Sequence, residues 1–121
     1  MTTEMNTNQT QLLYAALSER ILCLDGAMGS MIFSFGLDEQ AVRGERFAEH
    51  GKELKNCTDI FNLTHPNIIT DIHRQYLAAG ADIIETNTFN ASPVGLSEFD
   101  FDGEVVREIN MAAAANARRA A

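Results

Sequence analysis

The sequence predicts an α/β fold with parallel strands, and three observations predict it. Ile21-Leu22-Cys23-Leu24 is an apolar run without polar alternation, which suits a strand buried on both faces. A second short apolar strand, Asp82 to Thr86, opens into the amides and hydroxyls of Asn87-Thr88-Phe89-Asn90. Between them, a strongly periodic helix ends at Gly80 and passes directly into that second strand, which is the αβ half of a βαβ unit. In such folds ligands bind outside the carboxyl ends of the strands, so Asp25-Gly26 and Asn87-Thr88 are where chemistry is to be sought.

The elements follow in order. Residues 1–10 read as a flexible tail, and from a cap at Thr7 or Asn8 the residues Leu12, Leu13, Ala16 and Leu17 recur at helical spacing to about Arg20. After the first strand, Met28, Met31, Ile32 and Phe35 give one or two helical turns that Gly36 ends. Residues 36–62 are charged and show little periodicity, so they read as an irregular loop. Thr64 caps the clearest helix, Pro66 occupies its first turn, and Ile68, Ile69, Ile72, Tyr76 and Ala79 form its apolar stripe. Ser92-Pro93 begins a short helical segment to about Glu98. Asp102 caps a last helix, with Val105, Ile109, Ala112 and Ala113 inward and Arg118 and Arg119 at its negative end.

Bulk properties narrow the function classes. A chain of 121 residues with 45% hydrophobic content can build one core, and it reads as soluble and globular. Its formal net charge of -8 repels a phosphate backbone and an anionic membrane surface, which argues against both as partners. No basic leader or membrane-length apolar run is present, and Cys23 and Cys57 show no framework spacing. Free thiols in a reducing cytoplasm are the expectation.

Three stretches, Leu24-Asp25-Gly26-Ala27-Met28-Gly29-Ser30-Met31-Ile32, Arg43-Gly44-Glu45-Arg46-Phe47 and Gly80 to Asn90, resemble, in order and spacing, the start of the homocysteine-binding domain of cobalamin-dependent methionine synthases. The resemblance runs from about Gln11 to the last residue. It implies a TIM-type (β/α)8 barrel, of which residues 11–121 would supply only the opening βα units, because a whole barrel takes about 250 residues. It further implies methyl transfer to homocysteine, held as a thiolate on zinc by three cysteines and methylated from cobalamin. Those ligands lie in late strands of the family's barrel, so neither Cys23 nor Cys57 matches them. The fragment alone is expected to bind no zinc or cobalamin and to be inactive, the rest of the barrel and the cobalamin and folate modules being its partners.

What carries over is one wall of a substrate pocket: Asp25, Gly26, Asn87, Thr88 and Phe89. Asp25 suits an ammonium group, Gly26 lets a backbone N–H approach a carboxylate, and Asn87 and Thr88 offer neutral donors and acceptors. On residue type alone Asp25 equally suits a turn or helix cap, and Thr86-Asn87-Thr88 ordinary turn chemistry. Glu85 reads as a structural ion-pair member or a catalytic acid. His50, His65 and His73 lack metal-site spacing and read as structural or solvated, Met28 and Met31 as core fillers, and Arg43-Gly44-Glu45-Arg46 as a solvated or salt-bridged segment.

Two other functions compete. A non-catalytic binding or assembly module would form a homo-oligomer through the open edge of a partial sheet. A phosphate-cradling loop at Gly26-Ala27-Met28-Gly29 is disfavoured, because it lacks the Gly-Lys-Ser/Thr of a P-loop and starts with an acid.

Overall fold

A computed structural model describes residues 3–121, and most of them are helical. Its helices are α1 (Thr3–Glu19), α2 (Met28–Phe33), α3 (Glu39–Arg43), α4 (Phe61–Thr64), α5 (Pro66–Ala78), α6 (Pro93–Leu96) and α7 (Gly103–Ala120). One 3-10 turn, Thr58–Ile60, leads into α4, and another, Ser97–Phe99, follows α6. The expected start of the first helix at Thr7 or Asn8 moves forward to Thr3; of the expected tail, Met1 and Thr2 lie outside the described residues.

The α/β expectation is overturned, and with it the reading as opening βα units of a barrel. The chain is 60% helical and 2% strand, and no sheet forms among the described residues. The two predicted strands meet at a single parallel bridge, Leu24 to Ile83, through Ile83 N–H to Cys23 O (3.2 Å) and Asp25 N–H to Ile83 O (2.9 Å). A parallel pair is the weaker kind of ladder, and two short segments with no third strand beside them do not propagate one. Nor are these segments buried: Ile21 is 89% and Leu24 59% exposed. An apolar run alone does not distinguish a buried strand from an exposed extended segment.

The core lies elsewhere. Ile69 and Ile72 of α5 pack against Val106 and Ile109 of α7, with Phe61 of α4 and Ile32 of α2 completing the contact. The region expected to be an irregular loop supplies much of the rest. Residues 36–62 contain α3, the first 3-10 turn and the start of α4, and they bury Val42, Phe47, Leu54, Cys57 and Ile60.

Arg43 organises that region, because its guanidinium donates to Glu39 Oε2 (2.7 Å) and to the carbonyls of His50 (2.5 Å) and Lys52 (2.9 Å). Glu39 in turn accepts the backbone N–H groups of Leu54 (2.6 Å) and Lys55 (2.8 Å). Despite burial, those hydrogen bonds and the Arg43 charge leave the Glu39 carboxyl below its usual range. One ion pair therefore satisfies backbone groups that would otherwise be orphaned in a segment without regular ladders. Arg46 pairs with Glu108 of α7 at 2.7 Å, and the ring of His50 stacks on Phe101 at 4.5 Å.

Capping chemistry explains the helix starts. Asp102 accepts Val105 N–H at 3.0 Å, Ser92 accepts Gly95 N–H at 3.0 Å, and Asp38 accepts Ala41 N–H at 2.8 Å. The cap of α5 is His65, not the expected Thr64, whose hydroxyl instead donates to Ile60 O in the 3-10 turn before α4 (3.3 Å). Gly80, at φ 112, turns the chain out of α5 towards the second extended segment in a conformation side chains rarely adopt.

Candidate functional site

The two extended segments are held in register from below. Arg20, just after α1, makes a bidentate pair with Asp82 (2.7 and 2.9 Å), and Asp82 Oδ2 also accepts Cys23 N–H at 2.9 Å. The paired guanidinium and that N–H hold the Asp82 carboxyl down to about 2. Charge and backbone together thus fix the start of the site.

Directly above the bridge, Asp25 joins the two segment ends. Its N–H donates to Ile83 O, and its Oδ2 accepts Glu85 N–H at 3.1 Å. The side chain is half-buried and keeps acceptor capacity for an incoming donor. Gly26 follows, and a Cβ there would stand 3.3 Å from Tyr76 Oη, which itself donates to Ala27 O at 2.6 Å. The small residue therefore lets the α5 phenol lie across the turn.

The second segment ends in a polar turn. Thr88 N–H donates to Thr86 O (2.9 Å), the two threonine hydroxyls share a hydrogen bond of 2.8 Å, and Ala91 N–H donates to Thr88 O (3.2 Å). Glu85, Thr86, Thr88 and Phe89 line a cleft of about 480 Å³, with Phe89 94% exposed at its mouth. Glu85 is itself exposed there.

Asn87 faces the other way. It is buried, its Nδ2 donates to Thr58 O at 2.9 Å, and its carbonyl accepts Asn62 Nδ2 at 2.7 Å. Asp25, Gly26, Thr88 and Phe89 are thus brought to the segment ends, whereas the Asn87 side chain is committed to anchoring the turn.

Sequence reasoning missed Asp59, which lies behind that turn, and left His73 open as structural or solvated. Asp59 is buried, with Oδ2 accepting Asn90 N–H at 3.0 Å and Oδ1 unpartnered among the described residues, and burial raises its carboxyl above the usual range. His73 on α5 is fully buried with neither ring nitrogen partnered among the described residues. Burial holds its imidazole below the ordinary range, opposed by the Asp25 carboxylate. A histidine on the same helical face as Ile69, Ile72 and Tyr76 was the available signal for that burial.

A larger hollow of about 700 Å³ lies at α3 and the segment after it, lined by Arg43 and the acids Glu39, Glu45 and Glu49. Its one cation is already spent on Glu39 and backbone carbonyls, so it offers an anion no free partner. The two cysteines do not form a zinc-binding set. Cys57 is buried with its thiol pushed up to about 12, against the thiolate a metal needs, and Cys23 is exposed on the first extended segment. Among the described residues no three His, Cys, Asp or Glu side chains gather to hold a metal ion, and no helix is long and apolar enough to cross a membrane.

Over residues 22–121, spanning the extended segments, the cleft and the core behind them, the chain matches the family model described as homocysteine S-methyltransferase.

Proposed function

The chain belongs to the homocysteine S-methyltransferase family, and from that premise we propose that the ends of the two extended segments bind the amino-acid end of homocysteine. The observation that carries the reading is the Asp25 carboxylate. It bridges the segments through Glu85 N–H, and Glu85 leads directly into the turn that carries the paired hydroxyls of Thr86 and Thr88. A carboxylate with spare acceptor capacity suits the substrate ammonium, and the threonine hydroxyls suit its carboxylate. Phe89 at the open mouth offers apolar surface to the thioether-forming carbon chain.

In this reading the chain is the pocket-forming part of a cobalamin-dependent methionine synthase in the cytoplasm. Zinc would hold the homocysteine sulfur as a thiolate and cobalamin would carry the methyl group, each bound by other parts of the enzyme. Methyl transfer by the purified 121-residue chain alone would contradict it.

The test is calorimetric titration with L-homocysteine. Asp25→Asn keeps the shape and removes the charge, so affinity falls about tenfold or more, as expected for loss of a charge-assisted hydrogen bond of about 1.5–3 kcal/mol. Equal binding by the variant overturns the reading. A second reading, association through an apolar face, is favoured by the exposure of Leu12, Leu17, Ile21 and Leu24 around the extended segments. Sedimentation velocity on the intact chain distinguishes it: a concentration-dependent mass above 13.3 kDa supports association, and a fixed monomer mass rules it out.

A further inference from the structure

We propose that Asn62 is the positioning residue of this site, setting the Thr86–Phe89 turn from behind through a buried chain of amides; the proposal rests on the homocysteine reading above. Asn62 is 2% exposed and never reaches the cleft. Its Nδ2 donates to Asp59 O (2.9 Å) and Asn87 O (2.7 Å), and its Oδ1 accepts Asn116 Nδ2 (3.3 Å). Both amide protons and the carbonyl are therefore in use. Asn116, also 2% exposed, receives Arg119 Nη1 on its own Oδ1 at 3.2 Å.

The donors run in one direction, from Arg119 on α7 through Asn116 and Asn62 to the backbone carbonyl of Asn87, whose peptide N–H, that of Thr88, donates to Thr86 O; the Asn87 side chain separately donates from Nδ2 to Thr58 O. Successive amides oriented alike polarise one another, and a buried break in such a chain leaves carbonyls unpaired. Three asparagines from different parts of the sequence are spent on one turn. A leucine at any of these positions would fill the core without the desolvation cost, so the polar choice needs a reason. That reason is the backbone carbonyl of Asn87. It lies immediately before Thr88, and its fixed direction sets where the Thr88 hydroxyl and N–H stand.

Asn62→Asp is the discriminating variant, since it keeps size and acceptor but loses both donors and sets a carboxylate against two carbonyls. Amide hydrogen exchange and L-homocysteine titration are measured on the intact chain, beside Ile109→Val as a core variant that loosens the α5–α7 packing without touching the turn. The expected result for Asn62→Asp is exchange at least tenfold faster at Thr88, Asn90 and Ala91 than at the α5 and α7 amides, with homocysteine affinity about tenfold weaker. Ile109→Val leaves affinity unchanged. Uniform acceleration across the chain, or unchanged affinity with the wild type binding, overturns the role of Asn62 alone. No binding by the wild type overturns the homocysteine reading, and the positioning role with it.

Discussion

The molecule divides into a helical body and an extended pair, and the two use apolar residues in opposite ways. In the body, Leu54, Ile60, Ile69, Ile72 and Ile109 are fully buried, and the buried asparagines are hydrogen-bonded. In the extended pair, Ile21, Leu24 and Ile83 remain exposed around one bridge that Arg20, Asp82 and Asp25 hold with charge and backbone. The difference teaches that packing and exposed polar chemistry are separated here: α5 and α7 hold the fold, whereas the segment ends carry the polar groups of the proposed homocysteine site.

The sharpest way to break that comparison is to truncate one side chain on each side of it. Phe61→Ala removes a 2% exposed ring from the contact between α4, α5 and α7 and is expected to cost about 3–5 kcal/mol in urea unfolding. Leu24→Ala is expected to cost under about 1 kcal/mol, since most of that side chain is already in water. Comparable losses would mean that the extended pair is part of the core.

A step smaller is Arg43. Arg43→Ala strands the carbonyls of His50 and Lys52 and frees Glu39, for an expected loss of about 2–3 kcal/mol by the same unfolding measurement. Arg43→Lys is expected to restore little, because an ammonium lacks the fork that reaches several acceptors at once.

The smallest effect is one of pH. His73 sits neutral in the body, so as acid is added the unfolded chain takes up the proton first, near the ordinary imidazole value of about 6.5. Stability therefore falls as the pH is lowered from above to below about 6.5 on account of this group. His73→Leu is expected to flatten that slope in unfolding curves taken across the range. An unchanged slope would show that the ring is hydrated in the folded chain.

The helical body was partly legible in the sequence, because caps and periodicity are local. Asp102, Ser92 and Pro66 mark helix starts that the structure keeps, and Ile69, Ile72, Ile109 and Ala113 face inward as spaced. The burial of residues 36–62 was not legible. It depends on Arg43 and Glu39 satisfying backbone groups up to 16 residues away, and no periodic pattern records such pairing.

The strand reading failed for the converse reason. Ile21 to Leu24 has strand-like residues, but a strand is made by its neighbours, and the single bridge to Ile83 is all the pairing it receives among the described residues. Of the site, Asp25 and Thr88 were legible as polar ends of apolar runs, while Asn62 and Asn116 were not, each being one polar residue on an otherwise apolar face.

The measurement that tests the central claim most directly is an amide-resolved NMR titration of the chain with L-homocysteine, beside the same thiol acid lacking the amino group. Shifts concentrated at residues 25–27 and 85–90, with the desamino compound bound at least tenfold more weakly, are the expected result. Shifts at α3 and the Arg43 hollow, or equal binding of the two compounds, would contradict the assignment of the substrate ammonium to Asp25.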